Sequence, residues 1–308
     1  MTLTWSDLKS GKGAKALGAY LLVWGAATGY LAFKGADWSF PIIAMLIFGI
    51  TLSAVVWGFT RKFDTPAIAI AEPRNQSLAL LAYVAVYAVV FVGWGMGFLK
   101  QAIPAGQAQE IAALAYKLII HVGLPALIIL AVGGTVRQLL TAGIRSGRWW
   151  VAFIGMAIIL FGLLAMVTPA MAQIGALGLS LPAALLSVLG AWVWMSLEAG
   201  LCEEFLFRAV LQTRLDAWLK SPVVAILLVS LVFALAHWPG LYFRGTAESE
   251  GFSTDPVQVA AFTIATLTPI SILFGVIWQR TNSLLLVAVL HGAVNALPFT
   301  AEFVNIWG

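Results

Sequence analysis

Long runs of apolar residues alternate along the chain with short polar breaks. Most runs are about 20 residues long, the length that an α-helix needs to cross the hydrocarbon core of a bilayer. We predict membrane-spanning helices over residues 16–33, 40–60, 77–99, 111–132, 149–168, 181–200, 222–238, 257–279 and 283–298. The last run has only about 16 residues, so we expect it to be tilted or to span in part. The predicted fold is an all-α, polytopic transmembrane helical bundle of eight or nine membrane helices.

The composition agrees with this pattern. Hydrophobic residues make up 61% of the 308 residues and charged residues only 10%, whereas a soluble domain carries about 25% charged residues. We therefore expect membrane lipids as partners. The net charge of +4 is small and scattered, which argues against nucleic acid. The chain has one cysteine, Cys202, so an internal disulfide is excluded and a buried thiol is expected.

Basic residues collect at alternate ends of the predicted helices. They are Lys9, Lys12, Lys15, Arg61, Lys62, Arg74, Arg137, Arg145, Arg148, Arg208, Arg214, Lys220 and Arg280. The opposite loops hold only Lys34, Lys100 and Arg244. The positive-inside rule then places the N-terminus in the cytoplasm, and we expect a prokaryotic cytoplasmic (inner) membrane. The N-terminal lysines precede a segment long enough to stay as an anchor, so no cleaved signal peptide is expected. The longest opposite loop, 239–256, is expected to be a connector or a lid.

Two adjacent carboxylates and an arginine, Glu203, Glu204 and Arg208, interrupt the apolar pattern. A charge at the centre of a membrane helix costs about 2.5–3.5 kcal/mol on insertion scales, so these three predict a functional site. A charged turn at the membrane surface is the alternative. On an α-helix Glu204 and Arg208 share a face and can pair. Glu203 is rotated about 100° away and is left free to act as a base.

Two of the three histidines add to this prediction. His237 ends an apolar helix, and His291 shares a helical face with Asn295, four residues later. A lone histidine on an apolar helix is more often a hydrogen-bonded core residue, which is our interpretation of His121. Two such residues beside an unpaired glutamate and an asparagine favour catalysis.

Helix lengths predict where these groups meet. If 181–218 and 222–237 form a hairpin that turns near Lys220, Glu203 and His237 lie level with one another. Three charged residues suggest that the first helix then emerges into the cytoplasmic headgroups: Arg208, Arg214 and Asp216. We therefore expect the site at a modest depth below that interface.

The chain contains, in order, Glu203-Glu204-x-x-x-Arg208, Phe233-x-x-x-His237 and His291-x-x-x-Asn295. With these motifs it resembles the CPBP intramembrane proteases, the CAAX protease and bacteriocin-processing family, whose best-known members are the type II CAAX prenyl endopeptidases. The resemblance covers residues 181–298. We divide the chain into N-terminal transmembrane helices of unknown role (1–176), a catalytic transmembrane domain (177–300) and a short tail (301–308).

The resemblance implies hydrolysis of a peptide bond near the cytoplasmic membrane face by a water that Glu203 and His237 activate. His291 and Asn295 would supply the oxyanion hole, and the acid–arginine pair would fix Glu203. The implied partner is a peptide or lipidated-peptide substrate. Nothing in the sequence indicates recognition of a prenyl group, and nothing indicates an oligomeric state.

Two alternatives stay open. A zinc ion could be held by Glu203 or Glu204 with His237 and His291, but the H-E-x-x-H signature is absent. We therefore favour a metal-free glutamate mechanism with no required cofactor. The competing class is a non-catalytic membrane protein, a transporter or an immunity or scaffold protein, that uses the buried polar groups for structure or ion relay. The chain lacks the internal repeats typical of many transporters.

Overall fold

The computed structural model describes residues 3–63, 68–137, 147–247 and 249–308. The structure is 84% helical, and the described residues form no strand. Nine helices in this part of the chain are long and apolar enough to cross a membrane. They are α1 (Gly11–Phe33), α2 (Ser39–Thr60), α3 (Pro73–Ala102), α4 (Gln107–Ala131), α5 (Trp149–Val167), α6 (Leu181–Leu219), α7 (Pro222–Arg244), α8 (Pro256–Thr281) and α9 (Leu284–Trp307). Two short helices, Trp5–Lys9 and Ala170–Ala176, flank them. The transmembrane helical bundle is confirmed, at the upper predicted count.

α6 continues to Leu219 through the charged motif, beyond the predicted membrane span 181–200 and in agreement with the predicted hairpin helix 181–218. Two other helices extend well beyond their predicted bounds. α7 continues to Arg244, so the connector to α8 is shorter than predicted; its Glu248 lies outside the described residues. α9 reaches Trp307 through the internal Pro298, so the prediction of a short, partial span is wrong. Membrane helices tolerate proline because neighbouring groups satisfy the freed backbone.

The interior of the bundle lies in its last third. The most apolar stretches of α7, α8 and α9 are 61, 67 and 67% buried, whereas those of α1 to α6 are 22–28% buried. α7 packs along α8 and α3, and α9 packs along α6 and α5. The polar motifs lie on α6, α7 and α9, so the interior of the bundle brings them together.

Glycines let α6 and α9 approach closely. A Cβ on Gly200 would collide with the carbonyl oxygen of Ala288, and a Cβ on Gly292 would collide with Ser196. Small residues at such crossings allow membrane helices to pack backbone to backbone. Because Gly292 follows His291 directly, this contact sets the histidine against the acidic pair.

The three charged residues that were expected at the headgroups are enclosed by protein. Arg208 and Arg214 are 0% exposed and Asp216 is 4% exposed. Arg214 donates to the side chain of Gln76 at 2.9 Å and to the carbonyl of Thr135 at 3.1 Å. Gln76 lies on α3 and Thr135 in the connector after α4, so protein groups compensate the desolvation of Arg214. The depth of this part of α6 in a membrane stays a prediction.

The orientation of the chain stays a prediction from charge. Lys9, Lys12, Lys15 and Lys220 are exposed at the end of the bundle that was assigned to the cytoplasm. Arg145 and the side chain of Arg148 lie outside the described residues.

Candidate active site

Glu203 and Glu204 lie on α6 between two π-helical segments, and Arg208 lies in the second of these segments. Cys202–Glu204 is α-helical, and the segments on either side, Ser196–Leu201 and Phe205–Gln212, are π-helical. Such bulges are rare in helices and occur often at functional sites. These π-helical segments were not predicted, because the spacing of apolar residues does not distinguish a π-helix from an α-helix. Cys202 is a buried free thiol, as predicted.

Glu203 meets both motif histidines. Its Oε2 atom lies 3.8 Å from His237 Nε2 and 4.0 Å from His291 Nε2. The predicted level position of Glu203 and His237 is therefore confirmed. Both distances are too long for a direct hydrogen bond, yet short enough for a water molecule to contact both groups. Three helices distant in sequence thus place one carboxylate and two imidazoles around a common space.

The ring orientation of His237 follows from its backbone partner. Its Nδ1 atom lies 2.7 Å from the carbonyl oxygen of Phe233, one turn earlier on α7. A carbonyl can only accept, so Nδ1 carries the proton. In the neutral ring Nε2 then presents a lone pair towards Glu203. The His237 side chain is 35% exposed, so this face is accessible.

A buried chain of polar contacts holds His291. Its Nδ1 atom lies 2.8 Å from Glu204 Oε1, and Glu204 Oε2 accepts from Arg208 Nε at 2.9 Å. Arg208 also donates to Ser271 on α8 at 3.0 Å. The predicted Glu204–Arg208 pair is confirmed. The contacts to His291 and Ser271 were not predicted, because they join different helices and nothing in the sequence near Glu204 or Arg208 indicates them.

The ring of His291 also stacks on Phe274 of α8, with centroids 4.4 Å apart. Together with the Glu204 contact, this packing leaves Nε2 directed to Glu203. Asn295 lies one turn further along α9 and is partly exposed. It has no hydrogen bond to another described residue, so its amide is available to a ligand.

The zinc alternative considered above needs three ligands around one point. Among the described residues, no group of three His, Cys, Asp or Glu side chains is placed to hold a metal ion. Glu204 is instead engaged by Arg208 and His291, which leaves neither of its oxygens free for a metal.

A second polar cluster lies beside the first, and the sequence analysis did not find it. His121 is buried, with Nε2 2.7 Å from the Tyr87 hydroxyl and Nδ1 2.9 Å from the Lys117 carbonyl. The Lys117 ammonium forms an ion pair with Glu198 on α6. Tyr87 and Lys117 also lie close enough to Glu203 to interact with it electrostatically. His121 is a hydrogen-bonded core residue, as predicted. Its spacing from Lys117, one turn on an apolar helix, was the available signal for the cluster.

A protein-family model matches part of this chain. Residues 185–297 match the family model described as type II CAAX prenyl endopeptidase Rce1-like. This part of the chain is similar to the CAAX proteases. The match contains all three motifs and coincides with the segment singled out from the sequence. Comparisons with curated proteins and with solved structures gave no match.

This similarity, together with the apolar helices, points to an integral-membrane protease with a peptide substrate. The matched segment begins within α6 and ends within α9. The second polar cluster is only partly inside it, because Tyr87, Lys117 and His121 lie on earlier helices.

Proposed function

We propose that the protein is a metal-free, glutamate-type intramembrane endopeptidase. Glu203 is the general base, His237 shares the attacking water, and His291 and Asn295 receive the developing oxyanion. The observation that carries this proposal is the position of Glu203 Oε2, within 4.0 Å of both imidazole Nε2 atoms. The family match supports the reaction class, and this geometry supports the roles.

The reaction begins with a water held between Glu203 and Nε2 of His237. Glu203 takes one water proton as the oxygen attacks the peptide carbonyl carbon. The carbonyl oxygen becomes an oxyanion, which accepts hydrogen bonds from the Asn295 amide and from His291 when its Nε2 carries a proton. Glu203 then passes its proton to the leaving nitrogen as the carbon–nitrogen bond breaks. The products are an amine and a carboxylic acid, which releases the second water proton to solvent and becomes a carboxylate, and Glu203 is regenerated.

Glu204 and Arg208 act through their neighbours. They hold His291 in place by two hydrogen bonds in a water-excluded environment, where such contacts are strong. Fixed donors at a developing charge cost little reorganisation when the reaction occurs. These two residues are therefore positioning residues.

The substrate must present an extended peptide bond, because a helix inside the bilayer offers no accessible carbonyl. We infer a peptide or lipidated peptide that enters from the membrane or its surface. The proposal includes the predicted orientation with a cytoplasmic N-terminus, and does not depend on it.

The test is a peptidase assay of the purified protein in detergent, with lipidated and unlipidated peptides, in the presence and absence of a metal chelator. We expect cleavage that survives chelation. We expect Glu203→Ala and His291→Ala to abolish turnover while expression and melting behaviour stay near wild type. Loss of activity on chelation, restored by zinc, would overturn the metal-free mechanism. Full biological activity of both variants would instead indicate a binding or transport protein.

A further inference from the structure

Lys117 brings an ammonium group close to the candidate active site from a helix outside the matched segment. It forms an ion pair with Glu198 on α6, and the two side chains are only 21% and 15% exposed. α4 packs against α6 along Ser196–Glu204, the stretch that carries Glu203. A largely buried ion pair is costly unless it is closely matched, and it is weak evidence for stability. We therefore looked for a role of this pair at Glu203.

The π-helical segment of α6 brings the partner of Lys117 towards the proposed base. In a regular α-helix, residues five apart lie about 140° apart around the axis. The segment Ser196–Leu201 is π-helical and holds one more residue in each hydrogen-bonded turn, which rotates Glu198 back towards the side of Glu203. Lys117 lies close enough to interact electrostatically with both carboxylates. One ammonium thus serves two acids.

Glu203 is surrounded by titratable and charged groups from five helices. They are Tyr87 on α3, Lys117 and His121 on α4, Glu198, Cys202, Glu204 and Arg208 on α6, His237 on α7, and His291 on α9. Among these described residues, three carboxylates are balanced by two cations when Glu203 is ionised. Without Lys117, a single arginine would face all three. Nearby opposite charge is what favours the ionised form of a carboxyl group.

We propose that Lys117 is a positioning residue that keeps Glu203 ionised and thus able to act as a base. This inference rests on the proposed function, in which Glu203 begins without a proton. The second polar cluster gives the lysine its place. His121 Nδ1 lies 2.9 Å from the backbone carbonyl of Lys117, and the Tyr87 hydroxyl holds the other ring nitrogen at 2.7 Å. Glu198 then holds the ammonium itself.

The test is the pH dependence of kcat/KM, whose acidic side reports the protonation of the base in the free enzyme. Lys117→Met keeps the length of the side chain and removes its charge. Ionisation of Glu203 then requires a higher pH, so the midpoint of the acidic side should rise by about one pH unit. Lys117→Arg restores the charge and should return the midpoint to its wild-type value.

Glu198→Gln breaks the same ion pair from the other side. Glutamine still accepts a hydrogen bond from the ammonium, so Lys117 keeps a partner while a negative charge near Glu203 is lost. The midpoint should therefore move to lower pH, opposite to its movement in Lys117→Met. If the pair were only a brace between α4 and α6, both variants would lower the melting temperature and leave the midpoint unchanged. That result, or shifts in the same direction, would overturn the inference.

Tyr87→Phe is the matched control, because it removes a hydrogen bond of the second polar cluster without changing a charge at neutral pH. Its midpoint should stay at the wild-type value, and a rise as large as that of Lys117→Met would contradict the inference. Should Lys117→Met fail to fold, the direction of the shift in Glu198→Gln decides: a fall supports the inference, and no shift or a rise refutes it.

Infrared difference spectroscopy separates this inference from the proposed function, because it measures protonation of Glu203 without a substrate. The carboxyl band that Glu203→Gln removes is assigned to this residue and followed against pH. Its midpoint should rise in Lys117→Met as in the kinetic profile. A shifted band in a protein that cleaves no peptide would support the effect of Lys117 on Glu203 while the proposed function fails. Cleavage by the wild type together with an unmoved band would overturn the inference and leave the proposed function intact.

Discussion

Two neighbouring polar clusters in this protein contain histidines on apolar helices. At His121, both ring nitrogens are occupied by protein, the Tyr87 hydroxyl on one side and a backbone carbonyl on the other. At His237 and His291, Nδ1 is held by protein and Nε2 faces Glu203 without touching it. His121 and His291 are 2% and 6% exposed, so burial alone does not distinguish a structural histidine from one with a proposed catalytic role. The difference is whether one ring nitrogen is left facing an acid across a space that a substrate can enter.

The clusters also differ in their supporting helices. The catalytic cluster lies where α7, α8 and α9 are most buried, whereas the His121 cluster joins two less buried helices, α3 and α4, to α6. Its Lys117–Glu198 pair fastens α4 to α6 five residues before Glu203. We infer that the early helices support the catalytic helix from outside the matched segment.

The largest loss of turnover is expected from a change at Glu203, which faces the imidazoles of both His237 and His291. Glu203→Gln keeps the shape of the side chain but removes the base, so turnover should fall by about a hundred- to ten-thousand-fold. The peptidase assay measures the loss, and the melting temperature in detergent checks the fold. A variant that keeps wild-type turnover would break the distinction between the two clusters.

Removal of the buried arginine should cost stability. Arg208→Met leaves Glu204 with His291 as its remaining polar partner in the protein interior, and we expect a loss of about 3–5 kcal/mol in the free energy of unfolding. Chemical denaturation in detergent measures it. The double variant Glu204→Gln/Arg208→Met should recover much of the loss, because no uncompensated charge remains; failure to recover would argue against charge pairing as the cause.

A matched pair of histidine variants sharpens the comparison. His291→Ala should lower kcat by about a hundred- to a thousand-fold through loss of an oxyanion donor. His121→Ala should lower the free energy of unfolding by about 1–3 kcal/mol, because it leaves buried partners unsatisfied. Its turnover per folded molecule should stay near wild type. Equal loss of turnover in the two variants would show that His121 takes part in the chemistry.

The smallest effect concerns an ion pair outside the membrane-spanning helices. Lys34 Nζ lies 2.8 Å from Asp255 Oδ2. Hydrogen bonds from Lys34 and, next, from the Tyr30 hydroxyl lower the pKa of that carboxyl from 3.8 to about 2. A depressed folded-state pKa means that the stabilisation is complete above the unfolded value of 3.8 and is lost as the pH falls towards about 2. Both side chains are partly exposed, so the contribution is small. The difference in melting temperature between wild type and Lys34→Gln should shrink over this range; a constant difference would contradict the pairing.

The sequence predicted the membrane helices well, because their apolar length is a local property. It also predicted the three motifs and the Glu204–Arg208 pair, since that contact joins residues one turn apart on one helix. The extent of α9 was underestimated, because proline ends most helices in water, whereas packing lets α9 continue through Pro298. The hydrogen bond between Glu204 and His291 could not be predicted from the sequence, because it depends on the close approach of α6 and α9 at Gly292.

The most direct test of the central claim is a single-turnover cleavage in water labelled with heavy oxygen, followed by mass spectrometry of the peptide and the protein. If Glu203 activates water as a base, the new C-terminal carboxylate carries one labelled oxygen after the first turnover, and Glu203 carries none. Labelled Glu203, or a first-turnover product without label, would contradict the account by showing that the carboxylate attacks the peptide itself.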